Sequence, residues 1–130
     1  MKHPFAAAAA SALLVLAACA SLDVNTIPYV GVQTYAPTNP AQVTILRTEP
    51  TRPHIRLGEI SATVSIDPAP PIADIEAKIQ SQAAELGADA AVIVVDRVQA
   101  IGVMATGPWW GRDVDTITGR KLIAVAIKYR

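Results

Sequence analysis

Residues 71–100, PIADIEAKIQSQAAELGADAAVIVVDRVQA, read as one amphipathic helix, a glycine stop and a buried strand, and the rest of the chain has to pack against this unit. Ile72, Ile75, Ile79, Ala83 and Leu86 recur at helical spacing and form one apolar stripe, while Asp74, Glu76, Lys78, Gln80, Gln82 and Glu85 make the wet side. Pro71 suits the first helical position, where its missing N–H leaves no hydrogen bond unmade, and Gly87 suits the left-handed residue just past the last turn. Residues 90–95, AAVIVV, are too few for a second helix and rich in β-branched side chains, which predicts a strand buried on both faces.

Outward from this unit the chain alternates strand-like segments with turn residues. Downstream, residues 102–111 read as a glycine-containing loop that holds Gly107-Pro108-Trp109-Trp110-Gly111, and residues 112–118 return from it in extended form. A last strand follows at 121–129, with Ile123, Val125, Ile127 and Tyr129 on one face and Leu122, Ala124 and Ala126 on the other. One of these faces meets the helix closely; the pattern leaves open which. Upstream, Ile55 and Leu57 occupy odd positions and Ile60, Ala62, Val64 and Ile66 even ones, so the inward face switches near Gly58-Glu59 and a bulged strand is predicted. Residues 42–46 alternate as a short first strand, with Val43 and Ile45 facing one way. The expected fold is therefore α+β, a small, mostly antiparallel sheet of about four strands in the order β-β-α-β-β with one helix on a face. A single helix cannot cover both faces of such a sheet.

The amino terminus carries an address. Lys2 and His3 precede an apolar run at 5–18 that ends in small residues directly before Cys19, the pattern of a secretory leader. The run is shorter than the ~20 residues a membrane-spanning helix needs. Leu16-Ala17-Ala18-Cys19 resembles the lipobox of bacterial lipoproteins, which implies cleavage before Cys19 and lipid attachment to it. The expected organisation is a signal peptide at 1–18, a lipidated cysteine and proline-rich tether at 19–41, and a single domain at 42–130. Within the tether, Tyr29 and Tyr35 are either linker aromatics or padding for an open sheet face. Cys19 is the single cysteine, so the remaining chain has no disulfide and no thiolate metal site. Ala20 stands where lipoproteins kept at the inner membrane typically carry Asp, and the resemblance to that sorting rule favours the outer membrane, facing the periplasm.

Charge and side-chain chemistry exclude more than they assign. Eleven Lys and Arg balance eleven Asp and Glu, which gives no electrostatic basis for a nucleic-acid partner. Beyond the leader His54 is the one histidine, read as a solvated loop residue, because no second His or Cys completes a zinc or copper site. Asp113 and Asp115 fall short of a calcium loop, and Ser61, His54 and Asp67 lack the G-x-S-x-G setting of a nucleophile elbow. No metal, no cofactor and no catalysis are expected. Trp109 and Trp110 stand out, either as rings capping an exposed edge of the core or as a contact on a loop for a protein, glycan or lipid interface. Arg112 beside them adds a cation–π or phosphate contact.

Leu57-Gly58-Glu59-Ile60-Ser61, Pro70-Pro71-Ile72 and Gly87-Ala88-Asp89-Ala90 ahead of a hydrophobic strand resemble, in that order, the small domain of the Rcs envelope-stress sensor lipoproteins, the RcsF-like group. The chain is more distantly similar to the YbjQ-like putative heavy-metal-binding domains. The resemblance spans about residues 43–129 and implies a non-catalytic outer-membrane lipoprotein that senses envelope damage by contacting other envelope proteins. Those sensors carry disulfides, which this chain has no cysteine pair to form, and the ligand cluster of the second group is absent from it. The expected function is a lipid-anchored, periplasm-facing binding or sensor-like module whose partner is another envelope protein. The alternative is an architectural lipoprotein subunit that stabilises an envelope complex.

Overall fold

β-branched and alanine-rich runs pair into a sheet of five strands in the computed structural model, which describes residues 19–130; the leader expected at 1–18 lies outside the described residues. In chain order the elements are β1 (Leu22–Pro28), β2 (Thr44–Leu46), β3 (His54–Ser65), α1 (Ile72–Glu85), β4 (Ala90–Thr106) and β5 (Asp113–Tyr129). Across the sheet the order is β1-β3-β5-β4-β2. β2 runs parallel to β4, and the other neighbours are antiparallel. The domain is α+β, with one helix on one face of a mixed sheet.

The helix is bounded much as its sequence predicts. Pro71 is the N-cap rather than the first helical residue, and Ile72 stays exposed, so the buried stripe begins at Ile75 and continues through Ile79, Ala83 and Ala84. At the other end the Gly87 N–H donates to the Ala84 carbonyl at 2.9 Å and the Ala88 N–H to the Ala83 carbonyl at 3.0 Å, a Schellman motif with Gly87 at φ 79°. A side chain at Gly87 has no room, because an added Cβ would lie 2.6 Å from Tyr35 Cβ and 2.7 Å from the Ala36 carbonyl oxygen. Asp89 then locks the turn to the sheet, with its N–H on the Ile127 carbonyl and its carboxylate accepting from the Tyr129 N–H.

α1 meets the alanine face of β5. Leu122, Ala124 and Ala126 are buried with Ile60, Ala62, Val64, Ala91 and Ile93 under Ile75, Ile79 and Ala83. The bulkier set faces away, where Ile127 and Val92 form a smaller cluster with Leu46, Val125 and Tyr129. No polar or charged residue is buried among the described residues. The bulge in β3 falls between Arg56 and Gly58, one residue before the predicted place, and turns Leu57 into the core in line with Ile60, Ala62 and Val64.

Three boundaries differ from the sequence expectation. The strand predicted at 90–95 runs on to Thr106, and only residues 90–93 are buried as a continuous run; Val94 lies at a register shift and is exposed. The loop predicted at 102–111 is consequently confined to residues 107–112. The segment expected as a tether at 19–41 contains β1, a fifth strand on the edge of the sheet, with Leu22 and Val24 packed against the core. Residues 29–43 are also tied down: the Thr38 N–H donates to the Ala84 carbonyl at 2.9 Å, the Thr38 hydroxyl to the Ala88 carbonyl at 2.7 Å, and Gln80 Nε2 to the Val43 carbonyl at 2.8 Å. Tyr35 pads the core beside the helix end rather than serving as a linker residue. Frequent prolines masked this order, since proline disfavours helix yet is tolerated at edge strands and turns.

Gly87→Ala is expected to lower the unfolding free energy by roughly 2–3 kcal/mol, combining a left-handed backbone with a clash. Gly102→Ala, where nothing lies within 4 Å of the added carbon, should stay within about 0.5 kcal/mol of the parent. Urea titration of both variants checks the contrast.

Candidate functional site: a tryptophan-tipped hairpin arm

β4 and β5 are each 17 residues long, and their pairing outlasts the rest of the sheet. β3 accompanies β5 only as far as the Ser65–Gly119 pair, beyond which β4 and β5 continue alone from Ala100–Thr118 to Thr106–Asp113. Six residues of β5 at ~3.3 Å each make an arm about 20 Å long. Its end is closed by Gly107 at φ 93°, where a Cβ would meet the Gly111 carbonyl oxygen at 2.7 Å, and by a turn in which the Gly111 N–H donates to the Pro108 carbonyl at 3.0 Å. Trp109 and Trp110 are the two central residues of that turn. They are 80% and 74% exposed, edge to face at 5.5 Å between centroids, with exposed Arg112 directly after the turn. The expectation that these rings cap an edge of the core is therefore corrected: they stand out from it.

Directly opposed residues of an antiparallel pair share a face, which gives the arm two unlike sides. One carries Ala100, Val103, Ala105, Val114, Thr116 and Thr118, without a charge; Val98, opposite Arg120, lies on the same side at the root of the arm. The other carries Met104, Ile117 and the carboxylates of Asp113 and Asp115. Val98, Val103 and Val114 are each at least 60% exposed, an unusual concentration of open apolar surface for so thin an element. Cys19 is exposed and lies two residues before Ser21, whose N–H donates to Ser65 Oγ at 2.8 Å.

At the base of the arm Asp96 accepts from Arg120 Nε and Nη2, each at 2.7 Å, and from Arg47 Nη1 at 2.6 Å. The forked Arg120 contact is the main cause, with Arg47 adding to it, that holds the Asp96 carboxyl at about 2. This cluster ties the chain after β2 to β4 and β5.

On the face opposite α1, Glu49, Arg56, Val92, Val94, Val125 and Ile127 line a shallow groove of about 200 Å³. His54 lies close by at the start of β3 and is half-buried, not a solvated loop residue; its Nδ1 is 2.7 Å from the Arg52 carbonyl and its Nε2 3.0 Å from Glu49 Oε1. Two acceptors around one ring raise the His54 pKa, the Arg52 carbonyl more than Glu49, while Arg56 and then His54 lower that of Glu49. Ser61 is seven residues along β3 from His54, about 20 Å at strand spacing, so the two do not form a catalytic pair. Among the described residues no group of three or more His, Cys, Asp or Glu side chains is placed to hold a metal ion.

Comparison with protein-family models, with curated proteins and with solved structures finds no match for this chain. Among the described residues no helix is long and apolar enough to cross a membrane.

Two outcomes follow from this geometry. Replacing Trp109 and Trp110 together by Ala should leave thermal stability within about 1 kcal/mol of the parent, because rings this exposed contribute little burial. The Asp96 carboxyl is held below its ordinary value in the folded state, so its contribution is complete above about pH 4 and lost as the pH falls through about 2. Asp96→Asn should remove that acid-labile part, roughly 1–2 kcal/mol after solvent screening, and flatten the stability profile between those pH values in acid titrations followed by circular dichroism.

Proposed function

We propose that the protein is a non-catalytic lipoprotein of the bacterial outer membrane, anchored through lipid on Cys19 and facing the periplasm as a binding or sensor-like module of the cell envelope. The observation that carries the binding reading is the arm: a two-stranded support that spends two tryptophans on solvent and leaves an uncharged apolar face uncovered. Trp109, Trp110 and Arg112 are its contact residues. The anchor rests on the lipobox-like Leu16-Ala17-Ala18-Cys19 after an apolar leader. The resemblance to the RcsF-like sensors supports the compartment and the non-catalytic class; signalling by their disulfide-bonded domain is not carried over, because this chain has one cysteine.

A second reading, an architectural subunit of an envelope complex, is favoured by the groove around Val92, Val94 and Val125 on the sheet face that α1 leaves open. Under that reading a stoichiometric protein complex survives purification, and Val94→Glu disperses it without unfolding the domain.

Cys19→Ser is expected to abolish acylation and move the protein from the membrane to the soluble fraction, read by the mass of the amino-terminal peptide and by fractionation. An unchanged lipid-bound fraction would overturn the anchor.

A further inference from the structure

We infer that the tip of the β4–β5 arm is a second membrane contact, seated in the lipid interface of the same membrane that holds the Cys19 anchor. The inference rests on the proposed lipidation of Cys19 and names the partner of the tryptophan site.

Strand directions bring the two together. Leu22 pairs with Val64, the Ser65 N–H donates to the Ser21 carbonyl at 3.0 Å, and Ser65 pairs with Gly119, which pairs with Gln99. Ser21, Ser65, Gly119 and Gln99 thus form one row across the sheet. Traced backwards from Ser21, the chain reaches Cys19 in the direction in which β5, traced back from Gly119, reaches Asp113 and the tip. The anchor and the arm leave the same end of the sheet. Only Ala20 and Ser21 separate Cys19 from β1, so there is no long spacer to carry this end away from the lipid; two residues extend at most about 7 Å. An arm of about 20 Å that leaves the same end is then within reach of the surface on which Cys19 sits.

The surface chemistry at this end suits a bilayer interface. Trp is the side chain most at home there, its large apolar ring lying among the headgroups with its N–H toward water. The two ring-bearing residues sit together at the turn, and Arg112 follows with a guanidinium suited to a lipid phosphate. Because the arm overshoots the level of Cys19, it meets the membrane obliquely, with its uncharged face of Val103 and Val114 toward lipid and Asp113 and Asp115 turned to water. Ile66 and Ile72, which flank the proline turn ahead of α1, are exposed at the same end and extend the apolar rim. A lipid chain at Cys19 holds the domain near the membrane; a second point of contact fixes which way the domain faces, and so presents the groove on the open sheet face at a set height and angle.

The sequence contains two tryptophans, both at the tip, so tryptophan emission, excited to the red of tyrosine absorption, reports the tip alone. The full-length acylated protein is reconstituted in vesicles of phosphatidylethanolamine and phosphatidylglycerol, with and without brominated acyl chains. The expected result is a blue-shifted emission that loses most of its intensity to brominated lipid and is protected from aqueous iodide. Val103→Asp, on the uncharged face, should weaken the lipid quenching, whereas Met104→Asp, on the carboxylate face, should leave it unchanged. Emission that stays at its water-exposed wavelength and is quenched by iodide overturns the proposal. Blue-shifted emission untouched by bromine also overturns it, since the rings are then buried against protein. Acylation is read separately by mass. An acylated chain without lipid quenching keeps the anchor and overturns the tip contact, while a non-acylated chain whose tip is still quenched keeps the contact and overturns the anchor.

Discussion

The close seating of α1 on a floor of alanines is the constraint on which the rest of this structure depends. Ala62, Ala91, Ala124 and Ala126 present little more than a methyl group each to the helix, and Ala83 answers them from its underside. Ile75 and Ile79 reach down into the space so created and meet Ile60, Val64 and Leu122 with essentially no solvent access. Larger residues on that floor would lift the helix and open voids around those isoleucines, at a cost typical of overpacked or cavity-bearing cores. With the helix held this close, the turn at Gly87 has no room for a side chain, and the segment around Thr38 and Tyr35 folds over the helix end to complete the seal.

The same choice leaves the other sheet face thinly dressed. Val92, Val125 and Ile127 point there with Leu46 and Tyr129, and no element of the described chain lies over them. Arg52 stacks on the Tyr129 ring at 4.2 Å, and Glu49, His54 and Arg56 form a polar rim at the groove. The domain therefore keeps a thick core on the helix side and leaves the groove and the arm open. The Asp96 cluster sits between the core and the arm, clamping Arg120 of β5 and Arg47 to β4 where support from β3 is about to end. An unsupported two-stranded ribbon is marginal by itself, and this clamp with the Gly119 packing under Ile101 stiffens its root.

Much of this was legible in the chain and some was not, for particular reasons. The helix and its glycine stop were readable because periodicity and a left-handed terminus are local properties. The bulge in β3 was readable as a change of parity, though its place moved to Leu57 because the core selects which side chain turns inward. β1 is not declared by the sequence although Leu22 and Val24 alternate correctly, since an edge strand ending in Pro28 carries the composition of a tether. The arm goes undeclared for a different reason: residues 100–106 hold alternating small and apolar side chains that face solvent, and a strand without a buried face has no pattern to declare it. Trp109 and Trp110 stand out in the sequence as residues. That they form the centre of a turn at the end of a projecting hairpin depended on the pairing of β4 with β5.

The sequence by itself determined the class of fold, the place of the helix, the parity of the strands and the lipobox-like cysteine at 19, because each of these is written in neighbouring residues. Only the tertiary structure decided that the alanine face of β5 meets the helix, that β1 joins the sheet, and that Cys19 and the tryptophans leave one end of it. Those facts turn on strand register and direction. Register is set by long-range pairing and by which side chains fill the core, and neither is a property of any stretch of chain taken alone.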